Sequence, residues 1–378
     1  MHIKTRLVHT GVGSDKTTGS ISCPVYQVAT FQHPALGEST GFDYSRTINP
    51  TRKVLEEAVA HLEGGVRGFA FSSGMAAITT VLALLKSGDR VIISDDLYGG
   101  TYRLFNQILS RFSLIPEYVD TSDLAAVAGK IKTATRAVFI ETPTNPLMKI
   151  SDIRAIAHLA KEHHLLMIVD NTFMTPYLQN PLELGADIVI HSATKFLGGH
   201  NDLLAGLVAV SNETLGEEVF FLQNSIGAVL APWDCWLLMR GMKTLALRIE
   251  RQQGNAARIA AWLTSQPYVS KVYFPGLTSH PGCELNRSQA RGHGAMISFE
   301  VDTRERVKEL LKKTKIILFA ESLGGVETLI TFPETQTHND IPEGIRLQMG
   351  INDRLLRLSV GIEDVDDLIA DLDQALRA

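Results

Sequence analysis

The sequence predicts an α/β fold: a mostly parallel sheet covered by helices on both faces. Three observations predict it. Short apolar, β-branched runs alternate with amphipathic helical patterns between residue 50 and about residue 240. Each run stops at polar residues or glycines, so the runs are of strand length and buried. Near Arg240-Gly-Met-Lys-Thr-Leu245 the pattern changes to a long helix followed by shorter strands, which marks a second, smaller α/β unit.

Residues 1–49 are polar and irregular, with turn signals at Gly11, Gly13, Gly19, Pro24 and Pro34. No period runs through them, so this segment is expected to lie over another surface and to have no core of its own. A helix follows from Pro50, with Val54, Leu55, Ala58, Val59 and Leu62 on one face and Gly64-Gly65 as its stop. Phe69–Phe71 leads through Ser72-Ser73-Gly74 into an apolar helix over 75–85. The strand over 90–94 leads to Asp95-Asp96-Leu-Tyr98-Gly-Gly-Thr101 and a helix to Arg111. The strand over 137–140 ends in Glu141-Thr-Pro-Thr-Asn145-Pro146, and a helix runs to His163. Strands at 165–169 and 187–190 end in Asp170-Asn-Thr172 and His191-Ser192-Ala-Thr194-Lys195, and a further strand lies within 204–210. Beyond the long helix to about Leu263, strands are expected at 269–273, 295–301 and 355–360, with helices at 304–313 and 365–376. The expected division is therefore 1–49, 50–240 and 241–378.

The totals narrow the function classes. The 378 residues are 45% hydrophobic and 20% charged, ordinary values for a soluble globular chain with a large core. A formal net charge of -5 and the lack of any basic run argue against a nucleic-acid surface. Cys23, Cys235 and Cys283 are odd in number, far apart and without metal-ligand spacing, which fits a reducing compartment and buried thiols. The start has no apolar core of signal-peptide length, so a cytoplasmic protein is expected. His163, His164, His191, His200 and His338 have no carboxylate or cysteine at ligand spacing and read as core or loop residues, with no metal expected.

In a parallel sheet, ligands bind outside the carboxyl ends of the strands. The residues there are Ser73-Gly74-Met75, Tyr98, Glu141 with Asn145, Asp170, and Ser192 with Thr194 and Lys195. Ser-Ser-Gly at a helix start offers free amides to a phosphate, although a plain capped helix explains it as well. Asp170 suits a helix cap or a protonated pyridine nitrogen, and Tyr98 an ordinary half-buried site or a stacked ring. A lysine after a strand is ordinarily solvated, yet in such company it suits Schiff-base chemistry. Each is weak alone; the set on successive strand ends of one sheet is not.

These stretches, together with Glu321-Ser-Leu-Gly-Gly325 and Arg357-Leu-Ser-Val-Gly-Ile-Glu363, resemble the transsulfuration (Cys/Met metabolism) family of pyridoxal-phosphate enzymes over essentially the whole chain. The resemblance implies fold type I, with a mostly parallel seven-stranded sheet. It implies that Lys195 forms the Schiff base with pyridoxal 5'-phosphate, Asp170 meets the pyridine nitrogen and Tyr98 stacks on the ring. Ser73, Gly74, Met75, Ser192 and Thr194 would hold the phosphate. Tyr44 and Arg46 would reach the phosphate of a neighbouring subunit's cofactor, making the protein a dimer at least and, as is usual in the family, a tetramer built as a dimer of dimers. Asn145 would lie near the phenolic oxygen, with Arg357 and Ser322 at the substrate α-carboxylate. Glu321 and Arg103 would receive the distal ammonium and carboxylate of cystathionine.

Within the family the sequence is most similar to the bacterial cystathionine γ-lyase branch. The implied reaction is carbon–sulfur cleavage of cystathionine, γ-elimination before β-elimination, with γ-replacement by a synthase or homoserine sulfhydrylase as the further alternative. Lys195 would move the Cα proton and Tyr98 would relay. A dinucleotide-binding oxidoreductase is disfavoured, because Gly11-Val-Gly13 lacks the third glycine and a preceding strand. A non-enzymatic scaffold would have no use for Lys195 and Asp170 together at strand ends.

Overall fold

The computed structural model describes residues 1–377. Seven strands form the larger sheet: β1 (Arg67–Phe71), β2 (Arg90–Ser94), β3 (Ile115–Val119), β4 (Thr135–Glu141), β5 (Leu166–Asp170), β6 (Ile188–Ser192) and β7 (Gly206–Val210). Their spatial order is β1-β7-β6-β5-β4-β2-β3. Only β7 runs against the others, antiparallel to both β6 and β1. The carboxyl ends of the other six strands therefore share one edge.

Alternation along each strand divides the core into two faces. Phe139, Ile168, Ile188 and Ile190 pack on one face beneath the helix Gly74–Leu82. Val138, Ile140, Met167 and Val169 pack on the other against the helix Ile153–Glu162. Each fully buried aliphatic side chain stabilises the sheet by roughly 1.5–3 kcal/mol. Residues buried from both sides leave no polar positions, which is why these strands read as continuous apolar runs.

The second sheet contains β8 (Val269–Tyr273), β9 (Met296–Val301), β10 (Leu318–Phe319), β11 (Leu329–Thr331) and β12 (Leu355–Ser359), ordered β10-β11-β12-β9-β8. It is antiparallel except for the β10–β11 pair. The helices Leu245–Thr264, Arg304–Lys313 and Val365–Leu376 cover it, and its core runs on into that around Phe196 and Leu197. No helix among the described residues is long and apolar enough to cross a membrane.

The structure departs from the sequence expectations in several places, among them these. The helix expected to run to Arg111 is regular only over Gly99–Arg103, then widens to a π-helical turn over Leu104–Ile108 and tightens over Leu109–Phe112. β3 was not expected; it contains Pro116, which a sheet tolerates because β3 is an edge strand. The amphipathic helix Glu213–Ile226 was also not foreseen. The first 49 residues are not wholly without a core, for Ile3–Val8 is helical and its Leu7 is fully buried beside Leu55 and Ile249.

Candidate active site

At the shared strand edge Lys195 follows β6, and its Nζ donates a 2.8 Å hydrogen bond to Ser322 Oγ. Ser322 lies on a loop of the second unit with φ at 89°, and the neighbouring Gly324 has φ at 81°. A Cβ on Gly324 would stand 2.5 Å from Phe196 N and 2.8 Å from Lys195 C, so glycine is required for the loop to lie against the lysine backbone. Burial first, then the Arg357 charge, pushes the Lys195 amine down to about 8, with Glu321 opposing. The neutral amine is thus far more populated near physiological pH than in an ordinary lysine.

Arg357, on β12, is 1% exposed. Its Nη1 donates to Asn145 Oδ1 at 2.7 Å, and its Nη2 to Ser322 O at 3.2 Å and Thr331 Oγ1 at 3.3 Å. Nε has no partner among the described residues. A buried guanidinium with a donor to spare, bound only to neutral oxygens, suits a carboxylate. Glu321 is exposed and forms no hydrogen bond or ion pair among the described residues, although its charge acts on both Lys195 and Arg357.

Asp170 ends β5 and sits in register with Glu141 at the end of β4. Thr172 donates twice to Asp170 Oδ1, with its amide (3.0 Å) and its hydroxyl (2.5 Å), and leaves Oδ2 unpartnered among the described residues. Glu141 Oε2 accepts the Tyr98 amide at 3.1 Å. Burial, then the Asp170 charge, pushes the Glu141 carboxyl well above its ordinary range. Burial also raises Asp170, but the Thr172 hydroxyl and amide oppose it, so Asp170 is the more easily ionised of the two.

The helix Gly74–Leu82 begins beside Ser192. Ser73 caps it, its hydroxyl accepting the Ala76 amide at 3.1 Å, while the Gly74 and Met75 amides find no acceptor among the described residues. A Cβ on Gly74 would lie 2.8 Å from Ser192 Cβ, which keeps the helix start against β6. The Ser192 amide donates to Thr172 Oγ1 at 2.8 Å, and Thr194 Oγ1 is engaged with the Ala205 backbone. Tyr98 is 39% exposed, its ring over Gly100. Two free amides with two hydroxyls, a neutral lysine, a carboxylate oxygen without a partner and an aromatic ring suit a flat, phosphorylated, carbonyl-bearing pyridine.

The remaining expected residues lie apart. Arg46 Nη1 donates to the Asn224 carbonyl at 2.7 Å and to its Oδ1 at 2.8 Å, and the guanidinium lies 5.4 Å from the Tyr44 ring centroid. Neither Tyr44 nor Arg46 hydrogen-bonds to Lys195, Asp170 or Tyr98. Arg103 pairs with Asp340 and is half exposed.

A comparison of the chain with known families settles the class. Residues 4–377 match the family described as Cys/Met metabolism PLP-dependent enzyme. The chain belongs to that family. Pyridoxal phosphate is its cofactor. The chain is 57% identical, over 99% of its own length and 96% of the relative's, to a Bacillus subtilis protein named cystathionine gamma-synthase/O-acetylhomoserine (thiol)-lyase. It is 53% identical to a cystathionine gamma-lyase of the same organism, covering 100% and 99% of the two chains. A cystathionine beta-lyase of Lactococcus lactis is 52% identical over 99% and 98%. Among solved structures, cystathionine gamma-lyase from Lactobacillus plantarum complexed with L-serine superposes with a TM-score of 0.97 at 49% identity, covering 100% and 99%. Family members that run three reactions thus lie within a few per cent of one another in identity to this chain.

Sequence reasoning missed several residues that shape this Cys/Met-family site. Asp96 accepts the Leu147 amide at 3.1 Å and the Thr144 hydroxyl, and so pins the Asn145 loop. His338 meets the Asn145 carbonyl at 3.0 Å. His191, read as a core or loop histidine with no carboxylate at ligand spacing, is buried and bonds to the buried Glu63 at 2.5 Å. That pairing spans 128 positions, and no spacing rule reaches across a fold. Asp96 left a trace as half of an acidic pair, and His338 as part of Gln336-Thr-His-Asn339.

Proposed function

We propose that the chain is a pyridoxal-phosphate-dependent carbon–sulfur lyase that cleaves L-cystathionine by γ-elimination. With uptake of one water, the products are L-cysteine, 2-oxobutanoate and ammonia. The observation that carries this reading is Glu321, a free carboxylate acting on the same space as a buried arginine with a spare donor. Cystathionine has an α-carboxylate for the arginine and a second ammonium for the glutamate. The relatives at 57% and 53% identity are a γ-synthase and a γ-lyase by name, which supports attack at Cγ.

Bound in this cleft, the cofactor supplies an electron sink for the carbon next to the amino group. Lys195 would hold it covalently, Asp170 would pair with its ring nitrogen and Tyr98 would stack on the ring. Ser73, Gly74, Met75, Ser192 and Thr194 take the phosphate, completed by Tyr44 and Arg46 of a neighbouring subunit in an assembly of at least two chains. Arg357, Asn145 and Ser322 orient the substrate carboxylate so that its Cα faces Lys195. With its amine held well below the ordinary lysine value, Lys195 can accept the Cα proton, and Tyr98 can pass protons near Cγ. Arg103, whose Nη1 pairs with Asp340, would receive the distal carboxylate with its remaining donors.

Product analysis tests the reading. Cystathionine should yield 2-oxobutanoate in excess; pyruvate in excess would identify β-elimination instead. A second reading, γ-replacement, is favoured by the relative at 57% identity. It predicts that O-acetylhomoserine and cysteine are turned into cystathionine faster than cystathionine is cleaved.

A further inference from the structure

Asn145 is gripped from two sides by the second unit. Its side-chain Oδ1 accepts from Arg357 Nη1 at 2.7 Å, and its backbone carbonyl meets His338 Nε2 at 3.0 Å. A carbonyl only accepts, so Nε2 bears the imidazole proton. Nδ1 is then an acceptor for the Thr337 hydroxyl at 2.7 Å. Burial first, then the Arg357 charge, holds this histidine down at about 4, and it stays neutral over the working range.

His338 is fully buried, on a turn closed by its own amide bonding to Pro333 O at 3.0 Å and its carbonyl accepting the Ile341 amide at 3.1 Å. The same turn lies on the segment that follows Tyr98: a Cβ on Gly99 would stand 2.2 Å from Thr337 O. From the other side Asp96 fixes residues 144 and 147. The Asn145 backbone therefore has one anchor from each unit, and its side chain sets the arginine.

We infer that His338 is a positioning residue: it holds the Asn145 backbone so that the Asn145 side chain keeps Arg357 oriented for the substrate carboxylate. This rests on the reading above that Arg357 binds that carboxylate. A histidine that only fills the core would affect stability and leave substrate affinity alone.

The test is steady-state kinetics on the holoenzyme with cystathionine, using His338→Ala, His338→Gln, Thr337→Val and Arg357→Lys. His338→Ala should raise KM about tenfold, the worth of one good buried hydrogen bond, with kcat and the visible cofactor absorbance little changed. His338→Gln, whose amide N–H reaches the same carbonyl, should restore KM. An unchanged KM in His338→Ala, or no restoration by glutamine, overturns the inference. If His338→Ala does not fold, Thr337→Val removes only the hydroxyl on Nδ1 and should raise KM about threefold, a lesser share of one hydrogen bond; an unchanged KM there overturns it equally. Arg357→Lys separates the two ideas. If it leaves KM alone, the carboxylate reading fails with everything resting on it; if it raises KM while His338→Ala does not, only the positioning role fails.

Discussion

Lys195 Nζ and Ser322 Oγ lie 2.8 Å apart although 127 positions separate them in the chain. Ser322 also accepts from Arg357 through its carbonyl, so one residue of the second unit links the proposed cofactor-bearing lysine to the proposed carboxylate-binding arginine.

The depressed Lys195 amine has a direct consequence. Below about 8 it is protonated and not nucleophilic; above that it is free. Reloading of cofactor-stripped protein with pyridoxal phosphate should therefore accelerate with pH and level off above an inflection near 8, where an ordinary lysine would still be climbing towards 10.5. Stopped-flow absorbance measures this. Lys195→Ala should show neither the visible absorbance nor turnover, and a Lys195→Ala protein that still turned over would remove the lysine from the chemistry.

Asp170→Asn takes the charge from the oxygen proposed to face the ring nitrogen while keeping the size of the side chain. Turnover should fall at least about a hundredfold, as for loss of a preorganised electrostatic contact. Protein that keeps full activity would break the assignment.

Gly74→Ala would push a methyl into Ser192, 2.8 Å from Cβ and 2.9 Å from Oγ. The helix start must then move off β6, and the two free amides move with it. Equilibrium dialysis should show the cofactor bound about tenfold more weakly, equivalent to about 1.4 kcal/mol.

Glu321→Gln removes the only charge proposed to meet the distal ammonium of cystathionine. Its KM should rise about tenfold, within the range for a charged hydrogen bond, while the KM of a substrate without a distal ammonium stays put. Parallel rises for both substrates would show that Glu321 acts elsewhere.

Glu63 is fully buried and accepts from His191, Asn171 and Asn180. Glu63→Ala leaves the His191 ring without a hydrogen-bond partner among the described residues and takes one of two acceptors from each of the Asn171 and Asn180 amides, and denaturant unfolding should show a loss of about 3–5 kcal/mol. A loss under about 1 kcal/mol would mean that water replaces the carboxylate.

Local chemistry made much of this protein legible before any coordinates. The runs at 90–94, 137–140 and 187–190 are apolar throughout because parallel strands are covered on both faces, and such strands must end where polar residues begin. Asp170 and Lys195 could be picked out for that reason, since a strand's last residue determines what projects beyond the sheet edge. Ile115–Val119 was not legible, because an edge strand needs no continuous apolar run. The irregular turns after Arg103 were hidden because each lasts only about one turn, too short for its period to show in the sequence.

The linear order contains nothing of which strand ends meet which loop. Ser322 against Lys195, His338 and Arg357 on Asn145, and His191 on Glu63 are contacts between distant segments, made when two hydrophobic cores pack and bring unrelated polar groups within hydrogen-bond reach. The residue types and their places at strand ends follow from periodicity alone. The depressed lysine, the raised Glu141 carboxyl and the spare donor of Arg357 exist only in the folded chain, because burial and the groups it brings together decide each of them.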